Sequence, residues 1–97
     1  MFLVDMTFTN FDAITPELTQ AHRQHLTKEY EAGHLLFGGR KEPRTGGLIL
    51  SRHPNKANLI QLLESDPFVM AGAANYQITE FVPVMAADAF SELLTTC

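Results

Sequence analysis

Phe2, Val4, Met6 and Phe8 alternate with Leu3, Asp5, Thr7 and Thr9, a period of two that predicts a strand with one strongly apolar face. After Thr15 the period lengthens to that of a helix. Thr15 suits an N-cap, Pro16 the first helical position and Glu17 the positive end of the helix dipole, so the helix runs from about Pro16 to Ala32 and Gly33 closes it. His34 to Gly38 and Gly47 to Ser51 are short apolar runs that read as an antiparallel pair of strands. Gly39 to Gly46 between them is turn chemistry, too long for a tight hairpin. A second helix starts near Pro54 and Asn55, with Ala57, Ile60 and Leu63 on one face and Leu59 and Leu62 widening the stripe. Asp66 and Pro67 pair a favoured N-cap with a favoured first residue and open a short helical turn that ends around Gly72. Ala74 to Val82 is the last main strand, stopped by Pro83.

The order β-α-β-β-α-β predicts a ferredoxin-like α+β domain over residues 1–84, a four-stranded antiparallel sheet with both helices on one face. The other face is left bare. Because strands two and three carry apolar residues on both sides, that face calls for a second subunit. Residues 85–97 form a C-terminal extension, in which Asp88 caps a short helix with Phe90, Leu93 and Leu94 on one side, an arm for packing on the partner.

Composition narrows the function classes. A 97-residue chain with 45% hydrophobic and 19% charged residues is an ordinary globular domain. At this size it buries only about 60–65% of its unfolded surface, which again favours association. The formal charge of −4 offers no field attractive to phosphate backbones, so nucleic acid is not an expected partner. A single cysteine, Cys97, allows no disulfide or thiolate metal cluster within one chain and fits a reducing, cytoplasmic setting. Asp5 interrupts the apolar start, no basic n-region precedes it, and no apolar run approaches about 18 residues, so neither a membrane span nor an export signal is expected.

The candidate chemistry lies on the first helix. At about 100° per residue its apolar arc takes in Leu18, Ala21, Leu26, Tyr30 and Ala32, yet His22, His25 and Glu29 hold the centre. Polar groups in the middle of an inward stripe mark either a functional site or histidines hydrogen-bonded at an interface. Asp66, at the other signature, can cap its helix and still accept a bond from an imidazole, and such a pair is simple machinery for moving a proton. His22, His25 and Glu29 also stand at i, i+3 and i+7, a spacing compatible with one metal, but no further motif completes a shell and no metal is expected. His34 and His53, at strand ends, read as solvent-facing. Arg40, Lys41 and Arg44 among glycines can draw an anion to the mouth of a cleft, though their spacing resembles no phosphate-binding loop. Tyr30 and Tyr76 read first as packing residues, with Tyr76 and His25 kept as substrate-binding candidates.

Ala21-His22, Glu31-Ala32-Gly33, Leu35-Leu36 with Gly38-Gly39, and Asp66-Pro67-Phe68-Val69 with Ala71-Gly72, in this order, resemble the YciI-like (YCII-related) family from Met1 to about Val84. The chain departs from that pattern at Arg40, where the family usually has a proline after the glycine turn. The resemblance implies a subunit of a dimeric α/β barrel and an active site built around a histidine and an aspartate, here matching His22 and Asp66. One relative is associated with dehydrochlorination of a chlorinated hydroxyhydroquinone, and the same superfamily includes muconolactone isomerases and cofactor-independent monooxygenases. The expectation is a cytoplasmic homo-oligomer, at least a dimer, acting without cofactor on a small oxygenated, cyclic or aromatic metabolite. His22 would serve as acid or base and Asp66 would orient it, in an isomerisation or elimination of the isomerase or lyase kind. The alternative is a non-catalytic metabolite-binding or oligomerising module with the same cleft.

Overall fold

The structure, a computed structural model, describes residues 1–94. The strand pattern at the start forms β1 (Phe2–Phe8), and Thr15 caps α1 (Pro16–Glu31) by accepting a hydrogen bond from the Leu18 N–H at 3.1 Å. There follow β2 (Leu35–Arg40), β3 (Gly46–Ser51), α2 (Lys56–Glu64), α3 (Pro67–Met70) and β4 (Ala74–Glu80). The sheet order is β2-β3-β1-β4, with every neighbouring pair antiparallel. This is the ferredoxin-like arrangement, with β1 and β3 at the centre.

Phe2, Val4 and Met6 of β1 point to the helix side with Leu35, Ile49 and Ala74, and meet Leu26 of α1, Leu59, Leu62 and Leu63 of α2 and Phe68 of α3. Val4, Leu59 and Leu63 are completely buried, each contributing about 1.5–3 kcal/mol relative to exposure. On the opposite face Leu3, Asp5 and Thr7 remain exposed.

Four expectations need correction. β2 does not stop at Gly38: Gly38, Gly39 and Arg40 pair with Ile49, Leu48 and Gly47, so only residues 41–45 connect the strands. Glycine composition reads as a turn, but the ladder across β3 satisfies those backbone groups and holds them extended. In α2 the inward stripe is Leu59, Leu62 and Leu63, while Ala57 and Ile60 are exposed; the turn from β3 and the Asn55 cap, which accepts the Asn58 N–H, set the rotation. β4 ends at Glu80, two residues early, because its antiparallel partner β1 begins at Phe2, which is paired with Glu80. Asp88–Leu93 is a 3₁₀ segment whose capping position is Ala87, and Asp88 lies within the first turn without capping it by its side chain. Cys97 lies outside the described residues.

Candidate functional site

Asp66 is held by its own local chemistry. Its backbone is extended at the N-cap of α3, Pro67 supplies the fixed first position, and its Oδ1 accepts the Phe68 N–H at 2.8 Å. The second oxygen, Oδ2, is left to accept from His22 Nδ1–H, at 2.7 Å across 44 residues of chain. The carboxylate is completely buried and the imidazole 17% exposed. Phe68 stacks on the ring, centroid to centroid 4.1 Å and 16° from parallel, so the imidazole is fixed in plane as well as by its bond. With Nδ1–H committed to Asp66, the basic nitrogen of neutral His22 is Nε2.

His22 and Phe68 line a cleft of about 490 Å³ between α1 and the β2–β3 edge, a volume that suits a small metabolite. Phe8, Ile14, Leu26 and Ile49 give it apolar walls, and Arg40 and Arg44 stand at the β2–β3 end. Tyr30 also lines it; burial pushes its phenol up from the ordinary range. A Cβ on Gly38 would collide with the Tyr30 hydroxyl, so the glycine is what lets the ring reach this wall. Phe68 and Tyr30 were missed as site residues by the sequence reading. Phe68 could have been found as the residue whose N–H an Asp-Pro cap engages, and Tyr30 as the aromatic two helical turns after His22.

Three candidates lie elsewhere. Lys41 donates to Asp5 Oδ1 at 2.7 Å and Thr7 Oγ1 at 3.2 Å on the open face of the sheet, because it follows Arg40 by one residue and so points the other way. His25 donates Nε2–H to the Leu62 carbonyl oxygen at 2.9 Å, tying α1 to the last turn of α2. Tyr76 donates to Glu64 Oε2 at 2.5 Å; burial first, then that carboxylate, pushes its phenol up to about 12. Arg40 lines the cleft but also reaches Glu42 Oε1 at 3.2 Å through Nε, in an exposed and readily exchanged pair.

The i, i+3, i+7 set His22, His25 and Glu29 is not gathered, each of the three turning to a different partner. Glu29 accepts from His34 Nδ1–H at 2.8 Å and lies 3.5 Å from His53 Nε2 through its other oxygen. The His34 hydrogen bond is the main cause holding its carboxyl below the usual range, with burial opposing. His53 is not solvent-facing: it is 6% exposed, drawn inward by the Ser51 hydroxyl 2.6 Å from its Nδ1.

Comparison with known proteins agrees with the fold. A model of the YCII-related domain matches residues 7–82. The chain belongs to the YCII-related family. No curated protein sequence matches it significantly. A solved structure, 5-chloro-2-hydroxyhydroquinone dehydrochlorinase from Burkholderia phenoliruptrix in complex with 2,5-dihydroxybenzoquinone, superimposes with a TM-score of 0.58 at 14% identity, over 84% of this chain and 93% of the other. At that identity the likeness is one of fold. Among the described residues no helix of this YCII-related chain is long and apolar enough to cross a membrane.

Proposed function

We propose that this YCII-related protein is a small acid-base enzyme in which its own side chains move a proton on a small, oxygenated, cyclic or aromatic metabolite. The observation that carries the reading is the His22–Asp66 pair at the wall of the cleft, a buried carboxylate at 2.7 Å fixing the tautomer of a ring that faces a ligand-sized space. Nε2 of His22 takes a proton from a carbon next to a carbonyl or enol oxygen, and the Asp66 carboxylate stabilises the imidazolium that forms. Negative charge then develops on the substrate oxygen, and Arg40 and Arg44 supply cations at that end of the cleft. Returning the proton from His22 to a different carbon completes an isomerisation. Loss of a leaving group with its electron pair completes an elimination. The dihydroxybenzoquinone held by the structural neighbour supports a ring-sized oxygenated substrate.

The test is a thermal-shift screen of hydroxylated rings and cyclic keto acids, with hits followed for turnover and for deuterium uptake from D₂O. The expected result is exchange or product with the parent protein, lowered about 100-fold or more in His22→Ala and in Asp66→Asn. Ligands that bind the parent and His22→Ala alike, with no exchange in either, would leave a binding module and end the catalytic reading.

A further inference from the structure

We propose that Glu29, His34 and His53 form a divalent transition-metal site of the zinc class, separate from the His22–Asp66 cleft. One ligand atom from each lies within 4.8 Å of the others. The three come from different elements: Glu29 from the last turn of α1, His34 from the turn into β2, and His53 from the exit of β3. Glu29 is seven residues beyond His22 on the same helix, about 10 Å along its axis, so this cluster does not share the cleft.

The decisive group is His53. Its side chain is 2% exposed and its Nε2 is buried without a hydrogen-bond partner, aimed at Glu29 Oε1 at 3.5 Å. A buried imidazole nitrogen left unpaired costs free energy, and native structures seldom carry one without a use. Around an ion bound at about 2.0–2.2 Å, neighbouring nitrogen and oxygen donors stand about 2.9–3.6 Å apart, and the 3.5 Å between His53 Nε2 and Glu29 Oε1 falls in that range. Nδ1 of the same ring faces Ser51 Oγ at 2.6 Å. When Nδ1–H donates to that oxygen, Nε2 keeps the lone pair a metal needs, an outer-sphere arrangement typical of ligating histidines.

The backbone of His34 is fixed by the Arg52 N–H donating to its carbonyl at 2.8 Å, while its ring is 45% exposed and free to turn from Glu29 to an ion. Two imidazoles and a carboxylate, with one side open to water, are a borderline-soft donor set that suits Zn²⁺ or Co²⁺ over Mg²⁺ or Ca²⁺. The bound ion fastens the end of α1 to the sheet and retains a position for water or an incoming anionic ligand.

Metal-free full-length protein titrated with Co²⁺ at neutral pH is expected to develop visible d–d bands at one ion per chain, displaced by Zn²⁺. Zinc at about 100 times its Kd should raise Tm by about 10 °C. His34→Ala and Glu29→Gln, whose side chains reach the surface, should fold by circular dichroism and weaken zinc at least about tenfold. His25→Gln and Cys97→Ser should bind as the parent does. Absence of the bands, unchanged affinity in both site variants, or loss of binding in Cys97→Ser alone would overturn the site.

Discussion

Asp66 carries two loads through two oxygens, and substitutions separate them. In Asp66→Asn the remaining oxygen can still accept the Phe68 N–H, but the amide presents N–H to His22 Nδ1 and forces the other tautomer, with the proton on Nε2. The fold is therefore expected to survive while the base is lost, and ¹⁵N shifts of the His22 ring should report the exchanged tautomer. Asp66→Ala removes the cap and strands a partly buried N–H, so it should cost about 2–4 kcal/mol in urea unfolding. Glu29 answers to pH instead. Its folded carboxyl titrates below its ordinary 4.5, so its contribution is present above that value and fades as the pH falls through the lower folded one. Metal-free Glu29→Gln should be less stable than the parent by about 1 kcal/mol or less at neutral pH, with the gap closing as the pH falls below 4.5 in acid unfolding curves. At the cleft His22 and Asp66 were legible, because a histidine in an apolar arc and an Asp-Pro cap are each locally anomalous, whereas Phe68 and Tyr30 were not. The cluster at His53 was not, since nothing in Arg52-His53-Pro54 announces that Ser51 turns the ring inward.

At the scale of elements, caps and periods predicted where helices begin, whereas glycines misled. Gly38 and Gly39 belong to the β2 ladder, and only one of them is required by its surroundings. A Cβ at Gly38 would meet the Tyr30 hydroxyl, the Leu48 carbonyl oxygen at 3.0 Å and the Ile49 side chain at 3.3 Å; one at Gly39 meets nothing within 4 Å. Gly38→Ala is accordingly expected to cost about 1–3 kcal/mol in urea unfolding and to disturb the cleft wall, with Gly39→Ala within about 0.5 kcal/mol of the parent. Equal effects would mean that Tyr30 is displaced without cost and is not a fixed wall of the cleft. The same packing logic explains α2. Periodicity alone allows a stripe centred on Ile60 or on Leu62, but the turn from β3 and the Asn55 cap fix the rotation and bury Leu59 and Leu63. A local pattern carries no such information.

For the whole molecule the strand order followed from the order of elements, because right-handed crossovers and an antiparallel pair leave few ways to arrange four strands. Among the described residues nothing covers the second sheet face. Across that face Phe37, Leu50 and Leu3 are aligned by the strand register, with Phe37 59% and Leu3 37% exposed. We propose that a second copy covers this row, and Leu3→Lys at its β1 end should shift light scattering from dimer toward monomer while circular dichroism is retained. The chain beyond the sheet bears on the same assembly. The whole molecule has a radius of gyration of 14.0 Å and a longest extent of 44 Å against 26 and 20 Å. A compact domain of this length would have a radius of about 12.5 Å. Val82, Val84, Met85 and Phe90 are exposed and none joins the core, so removing this segment takes little from the monomer. Its apolar side chains gain a role only against a partner. Truncation after Val84 should leave the far-ultraviolet spectrum of the ferredoxin-like unit unchanged and raise the dimer dissociation constant about tenfold or more in sedimentation, with Tm becoming more dependent on protein concentration. A truncated chain that associates as tightly as the parent would show that the sheet face holds the dimer alone and that residues 85–97 take no part in it.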